Sequence, residues 1–320
     1  MNQKHGDQPA LTVFFSTYNR AHLLPRMMEC IESQTFQDFE LLIVDDGSTD
    51  GTYDYLRAYQ PKGAFQLRVF RQPENLGMPT GFSVAFEHAS RLLFLAIDSD
   101  DTMPENALER FWYWWHYAQE NYPEVSIVGV EALCGDAETG EVLGQSFPQS
   151  PMISDRVEIH FVHRCHGAKV RAVRTDIIKQ YRFPQVPGEK FIEPAYVWNQ
   201  LGYDRYKILY VNEILCYKEY LKDGLSSKNL FIVYSRNPRS LAMYYGLLVD
   251  CSLKHGRVPK YEIQTYFADW VRFSLYTDSL ASVVRDSKQF GLPRELWLRG
   301  ILVGIRRRIK DLVKLRLKRG

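Results

Sequence analysis

At 320 residues and 37.4 kDa, the chain is long enough for one large α/β domain, or for a domain with a smaller appendage. A hydrophobic fraction of 45% and a charged fraction of 24% exclude wholesale disorder, and a formal net charge of +2 argues against a nucleic-acid binder. Cys30, Cys134, Cys165, Cys216 and Cys251 are odd in number and form no Cys-x-x-Cys pair, which argues against a disulfide framework or a cysteine zinc site and for free thiols in a reducing compartment.

The first ten residues are polar, and no apolar run approaches the roughly 18 residues needed to cross a bilayer, so the expected location is cytoplasmic. Leu11–Ser16 reads as a buried strand, followed by the turn-like Thr17-Tyr18-Asn19-Arg20. An amphipathic helix is predicted over 21–33, with Leu23, Leu24, Met27, Met28 and Ile31 on one side. Phe39–Val44 is a second strand, ended by Asp45-Asp46-Gly47-Ser48, and Ser48 or Thr49 is expected to cap a short helix. Further strands are predicted at 67–70 and 91–97, the latter ending in Asp98-Ser99-Asp100-Asp101, with helices at about 79–90 and 104–120.

Beyond residue 125 the pattern loosens, with strands expected at 125–130 and near 168–174 and 207–218. After Ser227 the sequence reads as helical, with stretches near 229–255, 259–285 and 293–319. Continuously apolar strands separated by helices predict a mostly parallel sheet covered on both faces. Ligands of such sheets sit beyond the carboxyl ends of the strands. Here those ends carry Thr17, Tyr18 and Asn19, then Asp45 and Asp46, then Asp98 and Asp100, all converging on one rim.

Asp98 and Asp100, at i and i+2 in a loop, suit a hard divalent cation such as Mg²⁺ or Mn²⁺. The competing reading is an acidic turn with Asp101 or Thr102 capping the next helix. Asp45-Asp46-Gly47-Ser48 reads either as a tight turn or as a carboxylate that accepts from a base N–H or ribose hydroxyls. Asn75-Leu76-Gly77 is a loop whose glycine permits a positive φ. His160, His163 and His166 recur every three residues and would share a face if helical, although solvated imidazoles are the default reading.

Val13-Phe-Phe-Ser-Thr-Tyr-Asn-Arg20, Leu42-Ile-Val-Asp-Asp-Gly-Ser-Thr-Asp50, Glu74-Asn-Leu-Gly77 and Phe94-Leu-Ala-Ile-Asp-Ser-Asp-Asp101 together resemble a family 2 glycosyltransferase of the GT-A fold. The order and spacing match over roughly residues 10–105; Ser16 stands where the family pattern has proline. The resemblance implies a Rossmann-like, mostly parallel sheet with helices on both faces, plus a helical C-terminal region. It implies a transferase domain over 1–227, with a nucleotide-binding half at about 10–105 and an acceptor half at about 106–227, followed by helices over 228–320. By resemblance, Thr17, Tyr18, Asn19, Asp45, Asp46, Asn75, Asp98 and Ser99 would hold the nucleotide, and Asp98 and Asp100 would hold Mn²⁺ or Mg²⁺. The implied reaction is inverting transfer from a nucleotide-sugar, most often a UDP-sugar, to a hydroxyl of a glycan or lipid-linked glycan.

A single displacement requires a general base for the acceptor proton, for which a carboxylate is the usual instrument. The family places an Asp, after a Glu, before an aromatic-rich helix; the matching segment here is Gly188–Asn199, and Pro194 falls on the base position. Glu193 is therefore the first candidate base and Glu189 the second. This departure motivates the alternative reading of a catalytically silent nucleotide-sugar-binding or scaffold protein. A nucleotidyltransferase would need a glycine-rich, basic phosphate loop after the first strand, and a dinucleotide-dependent dehydrogenase a G-x-G-x-x-G there; neither is present. Asp223 and Ser226 fall in a Tyr/Asp-Gly-Leu-Ser segment that relatives use to close the donor site. No Gln-x-x-Arg-Trp motif of processive relatives occurs.

Residues 299–320 contain nine basic residues and one acid, a net +8 against −6 for residues 1–298. Ile301, Ile305, Ile309 and Leu312 fall at helical spacing there, with Leu302 and Val313 broadening the stripe. Such a basic amphipathic helix suits an anionic membrane surface, with no nucleic-acid partner expected; a helix docked on its own domain is the alternative.

Overall fold

The computed structural model of the protein describes residues 10–219 and 230–317. Asp223 and Ser226 lie outside the described residues. The chain divides into two compact units, Met1–Phe183 with Arg205–Lys222, and Pro184–Asp204 with Asp223–Gly320.

The first unit is built on one eight-stranded sheet. Its strands are β1 (Leu11–Thr17), β2 (Phe39–Asp45), β3 (Gln66–Arg71), β4 (Leu93–Ala96), β5 (Ile127–Asp136), β6 (Met152–Ser154), β7 (Lys169–Arg174) and β8 (Lys207–Lys218). Their order across the sheet is β3-β2-β1-β4-β7-β5-β8-β6. The pairs β1–β2, β2–β3, β1–β4 and β5–β8 are parallel, whereas β7 runs antiparallel to both β4 and β5, and β6 antiparallel to β8. The three-residue β6 has no sequence signal of its own, because it is too short to show a period.

Alternation along the strands sends side chains to two apolar layers. Val13, Phe15, Leu41, Ile43 and Leu95 pack with Leu24, Met27, Met28 and Ile31 of α1 (Leu24–Glu32) and with Leu108, Phe111 and Trp115 of α4 (Ala107–Asn121). Phe14 and Phe94 point the other way, against Phe82 and Phe86 of α3 (Met78–His88), at ring distances of 5.1 and 5.2 Å. Helices thus cover both faces, and the even continuity of apolar residues in β1 and β2 follows from burial on both sides.

Helix α2 (Thr52–Ala58) is not capped by Ser48 or Thr49 as expected. Its N-cap is Gly51 at φ +92°, and the Asp50 carboxylate accepts from the Thr52 N–H at 3.0 Å. Ser48 is committed elsewhere, accepting from the Asn19 N–H at 2.8 Å. Nor does Asp101 or Thr102 cap α4, whose N-cap is Asn106. A short α5 (Thr175–Ile178) follows β7.

The second unit is helical: α6 (Ala195–Tyr203), α7 (Leu230–Arg236), α8 (Pro238–His255), α9 (Lys260–Ser274), α10 (Leu280–Asp286) and α11 (Arg294–Leu317). The predicted helix over 229–255 breaks at Asn237, where φ is −129° and Pro238 starts a new helix. The one predicted over 259–285 also breaks, and the Ser279 hydroxyl accepts from the Ser282 N–H to open α10. The core of this unit includes Leu241, Leu248, Phe267, Trp270, Val271, Phe273 and Ile301.

Close approach of α11 to α9 depends on two glycines. A Cβ on Gly300 would lie 2.3 Å from Phe267 Cδ1, and one on Gly304 would lie 2.6 Å from both the Ala268 carbonyl oxygen and Val271 Cβ. Gly304→Val should therefore overpack this seam and lower stability by about 1–3 kcal/mol. Calorimetric or denaturant unfolding would read this as an early transition; unfolding identical to wild type would contradict the tight seam.

Candidate active site

Strand pairing alone builds the rim. Thr17 and Asp45 are register partners at the carboxyl ends of β1 and β2, and Asp45 is in turn paired with Arg71 of β3. The Ile97 N–H, just past β4, donates to the Phe14 carbonyl at 3.0 Å, so the Asp98–Asp101 loop leaves the sheet at the same edge.

Side chains then stitch the loops together. The Asn19 Oδ1 accepts from the Thr49 N–H at 2.8 Å, while Asn19 itself sits at φ +52°. The Arg20 N–H donates to Thr52 Oγ1 and the Ala21 N–H to Asp50 Oδ2. Asp46 receives the Leu76 and Gly77 N–H groups, one on each carboxylate oxygen, both at 2.8 Å. That clamp draws the loop carrying Asn75 against Gly47, whose φ is +71° and whose missing Cβ would lie 2.4 Å from the Glu74 backbone carbon. Only glycine meets both demands.

Two polar atoms on this rim have no hydrogen-bond partner among the described residues: Thr17 Oγ1 and Asp45 Oδ1. Both are buried, and Asp45 is fully so. Its other oxygen accepts from the Ser48 N–H at 3.3 Å and lies 3.5 Å from Arg71 Nε. A buried polar atom left unpaired costs about 1–3 kcal/mol, so two on adjacent strand ends form a ready acceptor pair for a ligand's N–H or O–H groups. Tyr18 beside them is 42% exposed and offers a ring face. Ser99 lies half-buried between Asp98 and Asp100.

Asp98, Asp100 and Asp101 place one carboxylate oxygen each within 4.8 Å of the others, and they are the one such His/Cys/Asp/Glu group among the described residues. Hard oxygen donors at that spacing, with the Asp98 side chain open to solvent, fit Mg²⁺ or Mn²⁺. Burial, and then the Asp98 charge, raise the Asp100 carboxyl above its usual range. Burial pushes Asp101 up to about 7, against the attraction of Lys218. The Lys218 ammonium lies 2.7 Å from Asp98 Oδ2 and also pairs with Asp101 Oδ2. Burial would pull this lysine down, but the charges of Asp98 and Asp101 overcome it and hold the ammonium protonated.

Lys218 is fixed there by backbone. Thr102 and Tyr217 form an isolated antiparallel bridge, with N–H to carbonyl distances of 3.0 and 2.8 Å in the two directions. Arg26 adds a second tie, donating to the Asp100 carbonyl at 2.6 Å and pairing with Glu219. Sequence reading missed Lys218, because nothing local marks a lysine that is 120 positions from its partner Asp98.

In the second unit the two candidate bases differ in what they do. Glu189 accepts from the Arg239 and Ser240 N–H groups at 2.9 and 2.7 Å, capping the N-terminus of α8. Asn237 Oδ1 accepts from the Lys190 and Phe191 N–H groups, pinning the same segment. Glu193, half-buried before α6, accepts from the Tyr234 hydroxyl. Burial raises its carboxyl above the usual range, with the Tyr234 hydrogen bond opposing. Pro194 is the N-cap residue of α6, which carries the buried Trp198.

The histidines do not form a helical metal face. Glu158–Val162 is a single π-helical turn, His163 and His166 are exposed, and the His160 and His166 rings meet edge to face at 4.4 Å. All five cysteines are free.

Residues 12–167 match the family model "Glycosyl transferase family 2". Those residues, just under half of the chain, belong to that family. An uncharacterized glycosyltransferase of Nostoc sp. is 28% identical over 45% of this chain, and the match spans 43% of that relative's length. The chain likewise spans less than half the length of the next two curated relatives. Among solved structures, Staphylococcus aureus TarS 1-349 in complex with UDP-GlcNAc is similar with a TM-score of 0.64 and 16% identity, over 97% of this chain and 92% of that one. The mannosyltransferase PcManGT of Pyrobaculum calidifontis, in complex with GDP-Man and Mn²⁺, reaches a TM-score of 0.53 at 16% identity, over 96% and 88% of the two chains. At these identities the likeness is one of fold. The sheet with its acidic rim is thus the GT-A fold.

The cap on α8 separates Glu189 from Glu193 experimentally. Glu189→Ala should lower stability by about 0.5–2 kcal/mol, the worth of an N-cap, with nucleotide binding unchanged. Unchanged stability in a denaturant titration would refute the capping role.

Proposed function

We propose that the protein is an inverting glycosyltransferase that moves a sugar from a nucleotide-sugar, of which a UDP-sugar is our first choice, to a hydroxyl of a glycan or lipid-linked glycan. The observation that carries the donor reading is the pair of buried, unpartnered acceptors Thr17 Oγ1 and Asp45 Oδ1 beside the Asp98–Asp101 cluster. In this reading Asp45 and Thr17 take the N–H and O–H groups of base or ribose, Tyr18 supplies a stacking face, and Asn19, Asp46, Asn75 and Ser99 shape the loops around them. Asp98 and Asp100 hold a divalent cation, which when bound would neutralise charge on the departing diphosphate.

Glu193 is our general base. The acceptor oxygen attacks the anomeric carbon, the bond to the diphosphate oxygen breaks, and the acceptor proton passes to the Glu193 carboxylate. A raised pKa suits this work, because the carboxylate must take a proton as the bond forms. Glu189 is the weaker candidate, since both of its oxygens already accept from α8.

Glu193→Gln should cut transfer by about 10²–10⁴-fold while leaving UDP-sugar binding nearly intact. The base acts as the carboxylate, so wild-type turnover should fall as pH drops through the raised pKa, with an acid limb above the ordinary 4.5. Retained turnover would remove Glu193 from the mechanism; UDP-sugar binding with no transfer by wild type would favour a catalytically silent binding protein instead.

We further place the enzyme at the cytoplasmic face of an anionic membrane, through α11. No helix among the described residues is long and apolar enough to cross one. The apolar side chains of α11 divide between two faces. Ile301, expected on the outward stripe, is buried, as is Asp311, which pairs with Arg272 at 2.6 Å. Leu298, Leu302, Ile309, Leu312 and Val313 are exposed, Leu302 by 67%, and Arg299, Arg306 and Lys310 flank them. An apolar stripe about 22 Å long with a basic border fits the headgroup layer, at about 1 kcal/mol per basic residue. Across a two-fold between copies the same border would face itself, which disfavours self-association.

The paired change Leu302→Ser and Ile309→Ser should cut co-sedimentation with anionic liposomes at least about tenfold without moving the melting temperature. Equal sedimentation, or a wild-type dimer in light scattering that the changes dissolve, would rule out this face as the anchor.

A further inference from the structure

The family-implied cation site contains a feature that a bare acidic cluster lacks: a fixed protein cation. Lys218 reaches Asp98 and Asp101 together, from the end of a strand that the Thr102–Tyr217 backbone bridge fastens to this loop. The two carboxylates it holds are unlike. Asp101 is buried at 2% side-chain exposure, whereas Asp98 is 72% exposed and free to turn toward a ligand. Asp100 has no ion pair with Lys218, and its backbone is held by Arg26.

We infer that Lys218 is a positioning residue that competes with the divalent cation for Asp98, so that the metal binds weakly alone and tightly only together with the nucleotide diphosphate. The inference rests on the donor and metal reading above. The Asp98–Asp101 carboxylates attract a divalent ion, but the oxygen of Asp98 nearest Lys218 is already occupied. A diphosphate offers the ammonium a replacement anion. Lys218 then turns from Asp98 to a phosphate oxygen while its ammonium stays paired with Asp101 and the Thr102–Tyr217 bridge holds its root, and Asp98 is released to the metal. The lysine thus holds like charges together before ligands bind and makes loading of metal and donor cooperative.

The test uses the full chain and Mn²⁺ as probe, read by electron paramagnetic resonance of the free ion, with and without UDP. Without nucleotide, Lys218→Met and Lys218→Gln should bind Mn²⁺ about tenfold more tightly than wild type, because a nearby positive charge is gone. Lys218→Arg, which keeps the charge, should match wild type. UDP should tighten Mn²⁺ binding strongly in wild type and much less in the Met and Gln variants. Equal or weaker Mn²⁺ binding by folded Met and Gln variants would overturn the inference.

A measurement on the wild-type chain avoids dependence on variant folding. Titration with diamagnetic Mg²⁺ should shift the Lys218 Cε and Nζ resonances as Asp98 is withdrawn. Mg²⁺ binding that leaves those resonances still would also overturn it. The outcomes separate the readings: failure of UDP binding with the Mn²⁺ differences intact sinks the donor reading and the diphosphate half of this inference, and leaves the competition between Lys218 and the metal for Asp98. Absence of Mn²⁺ binding in every variant, with or without UDP, sinks the metal reading and this inference together.

Discussion

Everything at the rim depends on parallel pairing of β1 with β2 and with β4. Parallel strands cannot be joined by tight hairpins, so each must end where its neighbour ends and return through a helix. The consequence is geometric: Thr17, Asp45 and the Asp98 loop arrive at one edge without any contact between their side chains being required. The contacts that do form lie between the loops. Asp46 clamps the Leu76–Gly77 backbone, Asn19 clamps Thr49, and Gly47 permits the approach. A rim assembled in this way can leave Thr17 Oγ1 and Asp45 Oδ1 unpaired, because the scaffold's stability comes from the two apolar layers beneath. The cost of two buried, unsatisfied acceptors is small beside those layers, and a ligand that supplies donors recovers it.

Electrostatics at the same edge follow from where the sheet changes direction. Antiparallel β7 separates β4 from β5, and β8 then runs parallel to β5. The carboxyl end of β8 therefore returns to the edge where the acidic loop emerges, and Tyr217 pairs with Thr102 there. Without a positive side chain at that point, Asp101 would be a buried carboxylate facing two others. Lys218 makes the burial tolerable, and the raised pKa values of Asp100 and Asp101 record how much repulsion and desolvation remain.

Much of this was legible in the sequence, and the boundary of what was legible has a physical cause. Strands β1, β2 and β4 are apolar runs because they are buried on both faces, and their polar ends stand out against that background. Helices α1 and α4 announce themselves by period. What stays hidden is non-local or very short: β6 with three residues, and the pairing of Lys218 with a loop more than a hundred positions earlier. The helix breaks at Asn237 and at 275–279 were masked for a different reason. Apolar spacing continues across both, so periodicity saw one helix where capping and proline chemistry make two. The Ser48 cap failed because three polar residues in a row compete for one helix start, and the hydroxyl found the Asn19 N–H first.

The two glutamates show why burial and partner chemistry matter more than residue type. Glu189 and Glu193 lie four residues apart in one segment, and both belong to the second unit. Glu189 faces the N-terminus of α8, where each of its two oxygens accepts from a backbone N–H, so both are committed to the fold. Glu193 faces a tyrosine hydroxyl, a single neutral donor, and burial raises its proton affinity beyond what that donor offsets. A group asked to accept a proton must be able to hold it, which the desolvated carboxylate of Glu193 can. The proline at 194 starts α6 directly behind Glu193 and thereby fixes where the carboxylate leaves the backbone. What looks in the alignment of motifs like a lost aspartate is thus accompanied by a neighbouring carboxylate whose surroundings already suit a base.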